Sequence, residues 1–372
     1  MENPVVVVGA GIAGLALVRA LHRREVPAVA LERREQLPSS GLAINIPGNG
    51  MTALSHLGLT DVLGETGAPI QRREYRDSRG KLLYAVDEAA FWSGRVPSRI
   101  LGRPELLHAL AQDLPSEAVR FGAAPEAYEQ GPDGVTVQLP GGETLKGAFL
   151  VGADGVGSAV RTAFLGSEGR RTGLLAQASW RFMAPDPGVA CFTVWLGRGR
   201  SFLAIPAGEG QVYCFASGVG GASVAADESW LQESFEDFPA PVRSILEHVR
   251  SGGIKLHHSP IEEVRIPAWH QGRVALIGDA AHATAPVWAQ GAALAVEDAL
   301  VLAELLDQEK DWAGVGAAYD QRRRARVEHV QRMTDRGSRA AGLPDWLRGL
   351  VLPRVGPSAY RSTFTELREP VV

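Results

Sequence analysis

Apolar positions in this chain fall into two patterns. The first is short, unbroken and stopped by glycine: Val5-Val6-Val7-Val8 before Gly9, Phe149-Leu150-Val151 before Gly152, and Ala275-Leu276-Ile277 before Gly278. A run of that length reads as a strand buried on both faces, as in a parallel sheet. Each glycine is followed by helix-forming sequence, so each unit predicts strand, turn and helix. The first continues into a helix over 13–24 and a further strand over 26–31. The second pattern alternates. Residues 119–139 alternate in strand fashion, and 73–77 with 81–84 read as a hairpin joined through Ser78-Arg79-Gly80. From Ala176 to Gly218, extended segments separated by Pro and Gly carry Trp180, Phe182, Phe192, Trp195, Phe202, Tyr213 and Phe215, which predicts an antiparallel sheet of a different kind. Helices are predicted over 50–57, from Arg103 with Pro104 in its favoured first turn, over 230–250, from 293 to about 306, and from 312 to about 336. No repeat of solenoid length is visible.

Composition narrows the class. At 372 residues the chain is long enough for two or three units of domain size, and 45% hydrophobic with 22% charged residues is the balance of a soluble globular protein. A net charge of −4 argues against nucleic acid, which needs a concentrated basic surface. The one basic run, Arg322-Arg323-Arg324-Ala325-Arg326, reads as a solvated helix face beside Glu328. Met1-Glu2-Asn3-Pro4 lacks the positive start of a secretory signal, and no segment reaches the ~20 apolar residues of a membrane span, so a cytoplasmic location is expected. Cys191 and Cys214 both lie in apolar, strand-like sequence and read as two reduced residues; no metal site is expected.

The glycine turns carry the chemistry. In Gly9-Ala10-Gly11-Ile12-Ala13-Gly14 the first two glycines permit a tight turn and close approach of a pyrophosphate, and Gly14 lets the helix pack on the sheet. Glu32 follows about 20 residues later, where a carboxylate accepts hydrogen bonds from ribose hydroxyls and disfavours a 2′-phosphate. That combination suits the adenosine of FAD or NAD. The turn at Gly278 instead carries Asp279, whose charge repels phosphate and suits sugar hydroxyls. The pair fits a long ligand with a polyol in its middle, for which FAD is the obvious candidate. The Pro-, Ser- and Gly-rich loop over 37–50, with Gly41 and Ala43, is able to approach a flat ligand closely. Ser158 reads as a helix N-cap after the Asp154-Gly155 turn.

With these residues in place, the chain resembles the group A, single-component flavoprotein monooxygenases with the p-hydroxybenzoate hydroxylase fold. Three ordered motifs carry the resemblance across nearly the whole chain: G-A-G-I-A-G with Glu32, the D-G pair Asp154-Gly155, and the G-D pair Gly278-Asp279. Arg103 in I-L-G-R-P-E-L, Trp180-Arg181, Pro206 in F-L-A-I-P and Tyr319 with its following arginines match as well. The length is similar to that of salicylate and urate hydroxylases. The resemblance implies an α/β fold: a Rossmann-like FAD-binding domain (GR2-type) over 1–70, 96–172 and 264–345, with an inserted mixed β-sheet substrate domain over 71–95 and 173–263. C-terminal helices follow, with 346–372 as a C-terminal segment. It implies non-covalent FAD, with Glu32 on the adenosine ribose, Gly11 and the turn after it on the pyrophosphate, Arg103 on a phosphate oxygen and Asp279 on the ribityl chain. The expected cofactor-binding set is Gly9, Gly11, Ile12, Ala13, Gly14, Glu32, Arg33, Gly41, Ala43, Arg103, Asp154, Gly278, Asp279, Pro286, Gly291 and Ala292. Asp154 resembles the aspartate tied to flavin binding and nicotinamide access; capping the helix after Ser158 is its alternative role.

One departure stands out. The family commonly reads P-x-x-G-Q-G after the G-D motif, whereas this chain has Pro286-Val287-Trp288-Ala289-Gln290-Gly291. If position 289 needs a positive φ, alanine is strained there. Trp288 reads either as an indole beside the flavin ring or as a packed wall residue.

The resemblance implies that NADPH or NADH, bound transiently, reduces FAD and that a C4a-hydroperoxide formed with O2 hydroxylates an electron-rich aromatic or polyketide-like small molecule. The aromatic residues between Trp180 and Phe215 suit a water-excluding pocket, although for any single one a core role is favoured. Arg181 reads as an anchor for a carboxylate or phenolate, or as an ion-paired sheet residue. No acid or base is assigned: His257 and His258 read as a strand end and His282 as a residue positioning the turn. Alternatives are a flavin-dependent dehydrogenase or oxidase, a halogenase, whose W-x-W-x-I-P segment is absent, and a flavin-loaded binding protein without turnover. A monomer or homodimer is expected.

Overall fold

The Val5–Val8 run lies at the centre of a six-stranded sheet, with Val5, Val6 and Val7 wholly buried. A computed structural model describes residues 3–165, 170–172, 179–218, 224–341 and 343–372. In it the strand order is His270–Gln271, Val274–Leu276, Phe149–Gly152, Val5–Val8, Ala28–Leu31 and Val119–Arg120, parallel throughout except at the His270–Gln271 edge. Both faces must be covered for such a sheet to exclude water, which is why its strands are uniformly apolar. The Ile12–His22 helix covers it from one end of the motif, and the Gly291–Gln308 helix packs against that helix.

The alternating stretch over 119–139 is not one strand. Only Val119–Arg120 joins the large sheet; Ala127–Gln130 and Val135–Gln138 pair with Thr144–Gly147 in a separate three-stranded sheet. Gly122 sits between them at φ +67°, a left-handed conformation that ends the first strand, and alternation of period two cannot register such a break.

The second large sheet has seven strands in the order His257–Ser259, Ser179–Pro185, Gln211–Gly218, Arg200–Gly208, Phe192–Gly197, Arg72–Asp77 and Leu82–Asp87. The expected hairpin thus belongs to it, as Arg72–Asp77 and Leu82–Asp87. All joints are antiparallel except Phe192–Gly197 against Arg72–Asp77: the described strands of 179–218 pair antiparallel as expected, and their parallel joint to the hairpin makes the sheet mixed. More than 100 residues separate those two strands, and no local signal sets their direction. The expected start at Ala176 lies outside the described residues. One face of the sheet packs Trp180, Phe182, Trp195 and Phe202 against helices Ser229–Phe235 and Ala240–Arg250. The other turns Phe192, Ile205, Met183 and Tyr213 toward Ala43, Ile70 and Ile100 of the first unit.

The C-terminal segment forms a helix, Asp345–Phe364, although Pro353 and Pro357 lie inside it. It lies across the edge of the second sheet: Leu352 packs with Leu83 and Leu196, and Gly356 sits so close to the Tyr84 ring that an added Cβ would fall 2.5 Å from it. No helix among the described residues is long and apolar enough to cross a membrane.

A candidate active-site cleft

Register brings the glycine turns together. Val8 pairs with Leu31 on one side and Gly152 on the other, and Gly152 pairs with Leu276. Turns far apart in sequence therefore line up at the carboxyl edge of one sheet, the place where open α/β sheets bind ligands. Two glycines are required there by space: a Cβ on Gly9, at φ +102°, would meet the Ala153 carbonyl oxygen at 2.6 Å, and one on Gly14 would lie 1.9 Å from the Gly9 oxygen. Gly11 is different. Nothing lies within 4 Å of its missing Cβ, so the space above the first turn is open. The Ile12–His22 helix has no side-chain cap and no acid in its first turn, leaving its N–H groups and dipole directed into that space.

Glu32 is buried and braces the turn: Oε2 accepts from the Ala10 N–H at 3.0 Å and Oε1 from the Arg34 N–H at 3.0 Å. Arg33 beside it is exposed. Gly41, against Pro104, precedes the Ala43–Ile46 strand, which pairs with Arg99–Gly102 and delivers Arg103 to the same region. Burial lowers the Arg103 guanidinium below its ordinary value, and the charges of Arg34 and Arg181 lower it further against the pull of Asp279. Arg181 belongs to the second sheet, where its guanidinium lies 5.7 Å from the Phe215 ring centre. No acid among the described residues pairs with Arg34, Arg103 or Arg181 within ion-pair distance. The ion-paired alternative for Arg181 is thereby set aside.

The G-D turn is held from behind. Gly278, at φ +57°, donates its N–H to Asp298 Oδ2 at 2.9 Å, and His282 Nε2 meets the same oxygen at 2.6 Å. Arg323 Nε donates to Asp298 Oδ1 at 2.8 Å. Burial alone would raise the Asp298 carboxyl, but His282 and Arg323 hold it well below the carboxylate range. His282 thus positions the turn. Asp279 points the other way, open to solvent yet crowded by protein, as on a cleft floor. Desolvation raises its carboxyl, opposed by His282, Arg103 and Arg181. A Cβ on Gly291 would lie 3.8 Å from Asp279 Oδ1, so the first turn of the Gly291–Gln308 helix, with Ala292, reaches the same spot.

Asp154 takes its alternative role: Oδ2 accepts from the Ala159 N–H at 2.7 Å and the Val160 N–H at 3.3 Å, capping the Ala159–Leu165 helix, while Oδ1 stays buried without a partner. Ser158 Oγ caps it too, accepting from Arg161 N–H at 2.9 Å. In the Pro286–Gly291 loop Pro286 is exposed, and Ala289 does adopt a positive φ, +53°. Trp288 is buried edge-on to Phe364, with ring centres 6.0 Å apart, and is a wall residue. His257 and His258 are half-buried in a strand; His258 Nε2 lies 3.2 Å from the Val224 carbonyl oxygen. Cys191 and Cys214 are free thiols.

The expected solvated face at 322–326 is not one. Arg323 is 1% exposed and pairs with Asp298 and Glu297, and Arg326 grips Glu297 through two bonds of 2.8 Å. The physical reason is helical period: positions 319, 323, 326 and 330 turn toward the Gly291–Gln308 helix, where Glu297 and Asp298 wait. Those two acids, with Arg34, Asn49 and Gln290, are the members of the site that the sequence pattern missed. Adjacent acids inside an otherwise apolar helix were the available signal.

The chain matches the FAD binding domain family over residues 2–336. It is 33% identical over 351 residues to the aurachin C monooxygenase/isomerase of Stigmatella aurantiaca, covering 92% of this chain and 90% of that protein. It is 30% identical over 340 residues to the FAD-dependent urate hydroxylase of Klebsiella pneumoniae, covering 87% of each. The crystal structure of Klebsiella pneumoniae HpxO complexed with FAD and uric acid superposes with a TM-score of 0.88 at 25% identity, over all of this chain and 98% of that one.

Proposed function

This chain belongs to the FAD binding domain family and is an FAD-dependent monooxygenase; from that premise we propose that it uses NADPH or NADH and O2 to hydroxylate an aromatic or polyketide-like small molecule. The observation that carries the proposal is a cluster of three arginines without an ion-paired acid among the described residues, Arg34, Arg103 and Arg181, in which Arg103 lies close enough to feel the other two and both Arg103 and Arg181 are felt by Asp279, on the sheet that also carries the uncapped N-terminus of the Ile12–His22 helix. Unbalanced positive charge beside open N–H donors suits a pyrophosphate, and a carboxylate further along suits a polyol. Because Arg181 comes from the second sheet, the cluster is continuous with a surface of Met183, Tyr213 and Phe215. An apolar surface with one cation favours a flat, electron-rich and anionic ring.

In this proposal Gly9, Gly11, Ile12, Ala13 and Gly14 present backbone to the pyrophosphate, and Arg103 and Arg33 add charge. Glu32 has acceptor capacity left for the ribose after its two backbone bonds. Gly41, Ala43, Pro286, Gly291 and Ala292 border the ring, Gly278 and Asp279 the ribityl chain, and Asp154 acts through the helix it caps. FAD, once reduced, supplies oxygen activation and transfer. The chain's own task is to hold the ring substrate, and Arg181 fixes its anionic substituent while Met183, Tyr213 and Phe215 keep water away. The domain division follows the two sheets: 1–70, 96–172 and 264–345 around the first, 71–95 and 173–263 around the second, with 346–372 bridging them.

A screen of aromatic and polyketide-like compounds tests it. Substrate-stimulated NAD(P)H oxidation with a product one oxygen heavier is the expected result. FAD reduction with a product lacking added oxygen would favour the dehydrogenase alternative. Arg181→Ala should raise KM for an acidic substrate by at least tenfold while leaving FAD content unchanged, since a charge-assisted bond contributes about 1.5–3 kcal/mol.

A further inference from the structure

Ala289 stands at φ +53°, a conformation that alanine holds only when its surroundings over-determine it. Both of its neighbours lead to the end of the chain. On one side Trp288 abuts Phe364, which belongs to a cluster with Tyr360 at 4.6 Å and Trp92 at 6.0 Å between ring centres. That cluster is anchored on fully buried Glu88, which accepts from Tyr360 Oη at 2.7 Å, Trp92 Nε1 at 2.8 Å and Ser98 Oγ at 2.8 Å. On the other side Gln290 and Asn49 exchange amide hydrogen bonds of 3.0 and 3.1 Å, and Asn49 donates to Glu297 at 2.9 Å. Glu297 takes two bonds from Arg326, whose remaining N–H groups reach the Glu366 and Leu367 carbonyls at 3.1 and 2.9 Å.

We propose that residues 360–367 form a brace that keeps Ala289 of the 286–291 loop in its left-handed conformation and so pre-organises the FAD site from outside it. The brace rests on the placement of FAD at this loop given above. Apparent affinity scales with the fraction of molecules already in the competent loop conformation. Without the brace Ala289 leaves the left-handed region, and that fraction falls. Glycine adopts φ +53° without strain, so Ala289→Gly should make the brace dispensable. Phe364 and Arg326 are positioning residues in this scheme; neither touches substrate.

The test uses the full chain with Phe364→Leu and Ala289→Gly, singly and combined, measuring the FAD dissociation constant, the visible spectrum of bound flavin and Tm. Phe364→Leu is expected to weaken FAD binding about tenfold or more and to shift the flavin spectrum. Adding Ala289→Gly is expected to restore both, to within about threefold in affinity, without restoring Tm. A Phe364→Leu protein that loses Tm but keeps FAD affinity and spectrum, or a loss that glycine does not repair, overturns the brace. If Phe364→Leu does not fold, Arg326→Lys, which keeps the charge and gives up the forked bonds, is judged by the same two outcomes. Glu32→Ala run in parallel separates causes: if it also leaves FAD binding unchanged, the placement of FAD fails, and if it alone weakens binding, the brace fails.

Discussion

Glu32 closes the first turn through Ala10 and is proposed to hold the ribose as well, so its removal should cost more than one contact. Loss of a charged acceptor is worth about 1.5–3 kcal/mol, which puts Glu32→Ala at roughly 10–100-fold weaker FAD binding by titration. Asp279 tests the opposite balance. Desolvation raises its carboxyl, so the folded chain binds a proton there more tightly than the unfolded one, and stability falls as pH rises above the unfolded value. In the FAD-free protein Asp279→Asn should therefore raise Tm at pH 8, with the gain fading in acid, while flavin retention drops. An equal loss of Tm at both pH values with full flavin content would contradict a role for Asp279 at the polyol. Residues of this kind were legible because glycine and a carboxylate at fixed spacing carry a mechanism. Ala289 was legible as a departure, and its positive φ is what the departure raised. Arg34 was not, since nothing in sequence distinguishes it from Arg33 beside it; only the fold turns one of them toward Arg103.

At the scale of elements, the turn at Gly278 depends on the pair of helices behind it. The Gly291–Gln308 helix brings Asp298 to the Gly278 N–H, and the Val315–Ala341 helix brings Arg323 to Asp298. Breaking a buried pair strands the remaining charge and costs about 3–5 kcal/mol, so Asp298→Ala should lower unfolding free energy in urea by that order and loosen FAD as well. The sign with pH is fixed: a carboxyl held low in the folded state contributes above its unfolded value, and that contribution is lost as pH falls through the ordinary carboxylate range toward the lower folded value. The stability gap between the wild type and Asp298→Ala should thus be widest at neutral pH and narrow as the solution is acidified. The glycine-stopped strands were readable from their unbroken apolar runs and these helices from their sequence pattern. The basic run at 322–326 was misread because its partners sit on another helix, and the bend of 119–139 because alternation is blind to one left-handed glycine. The Asp345–Phe364 helix had no clear pattern: its prolines argue against a helix, and its support comes from Leu83, Tyr84 and Leu196 of the second sheet.

Across the whole molecule, the face of the second sheet that carries Arg181 packs Phe192 and Ile205 toward Ala43, Ile70 and Ile100. The charge of Arg181 on one sheet is felt by Arg103 and Asp279 on the other side, which in the proposed function would tie a substrate surface to a cofactor surface. The purified protein should be yellow, with one non-covalent FAD per chain released on denaturation. The aromatic residues between Trp180 and Phe215 divide between the two faces of the second sheet: four pack against helices, and Phe192, Tyr213 and Phe215 lie on the face that carries Arg181. Their spacing announced a sheet but not which face met the cleft, since that depends on a register set by strands far away. Oxygen labelling tests the central claim most directly. Turnover under ¹⁸O2 with NAD(P)H and an accepted ring substrate should place one ¹⁸O atom in the product and none from H2¹⁸O; label from water, or a product without added oxygen while FAD is still reduced, would contradict it.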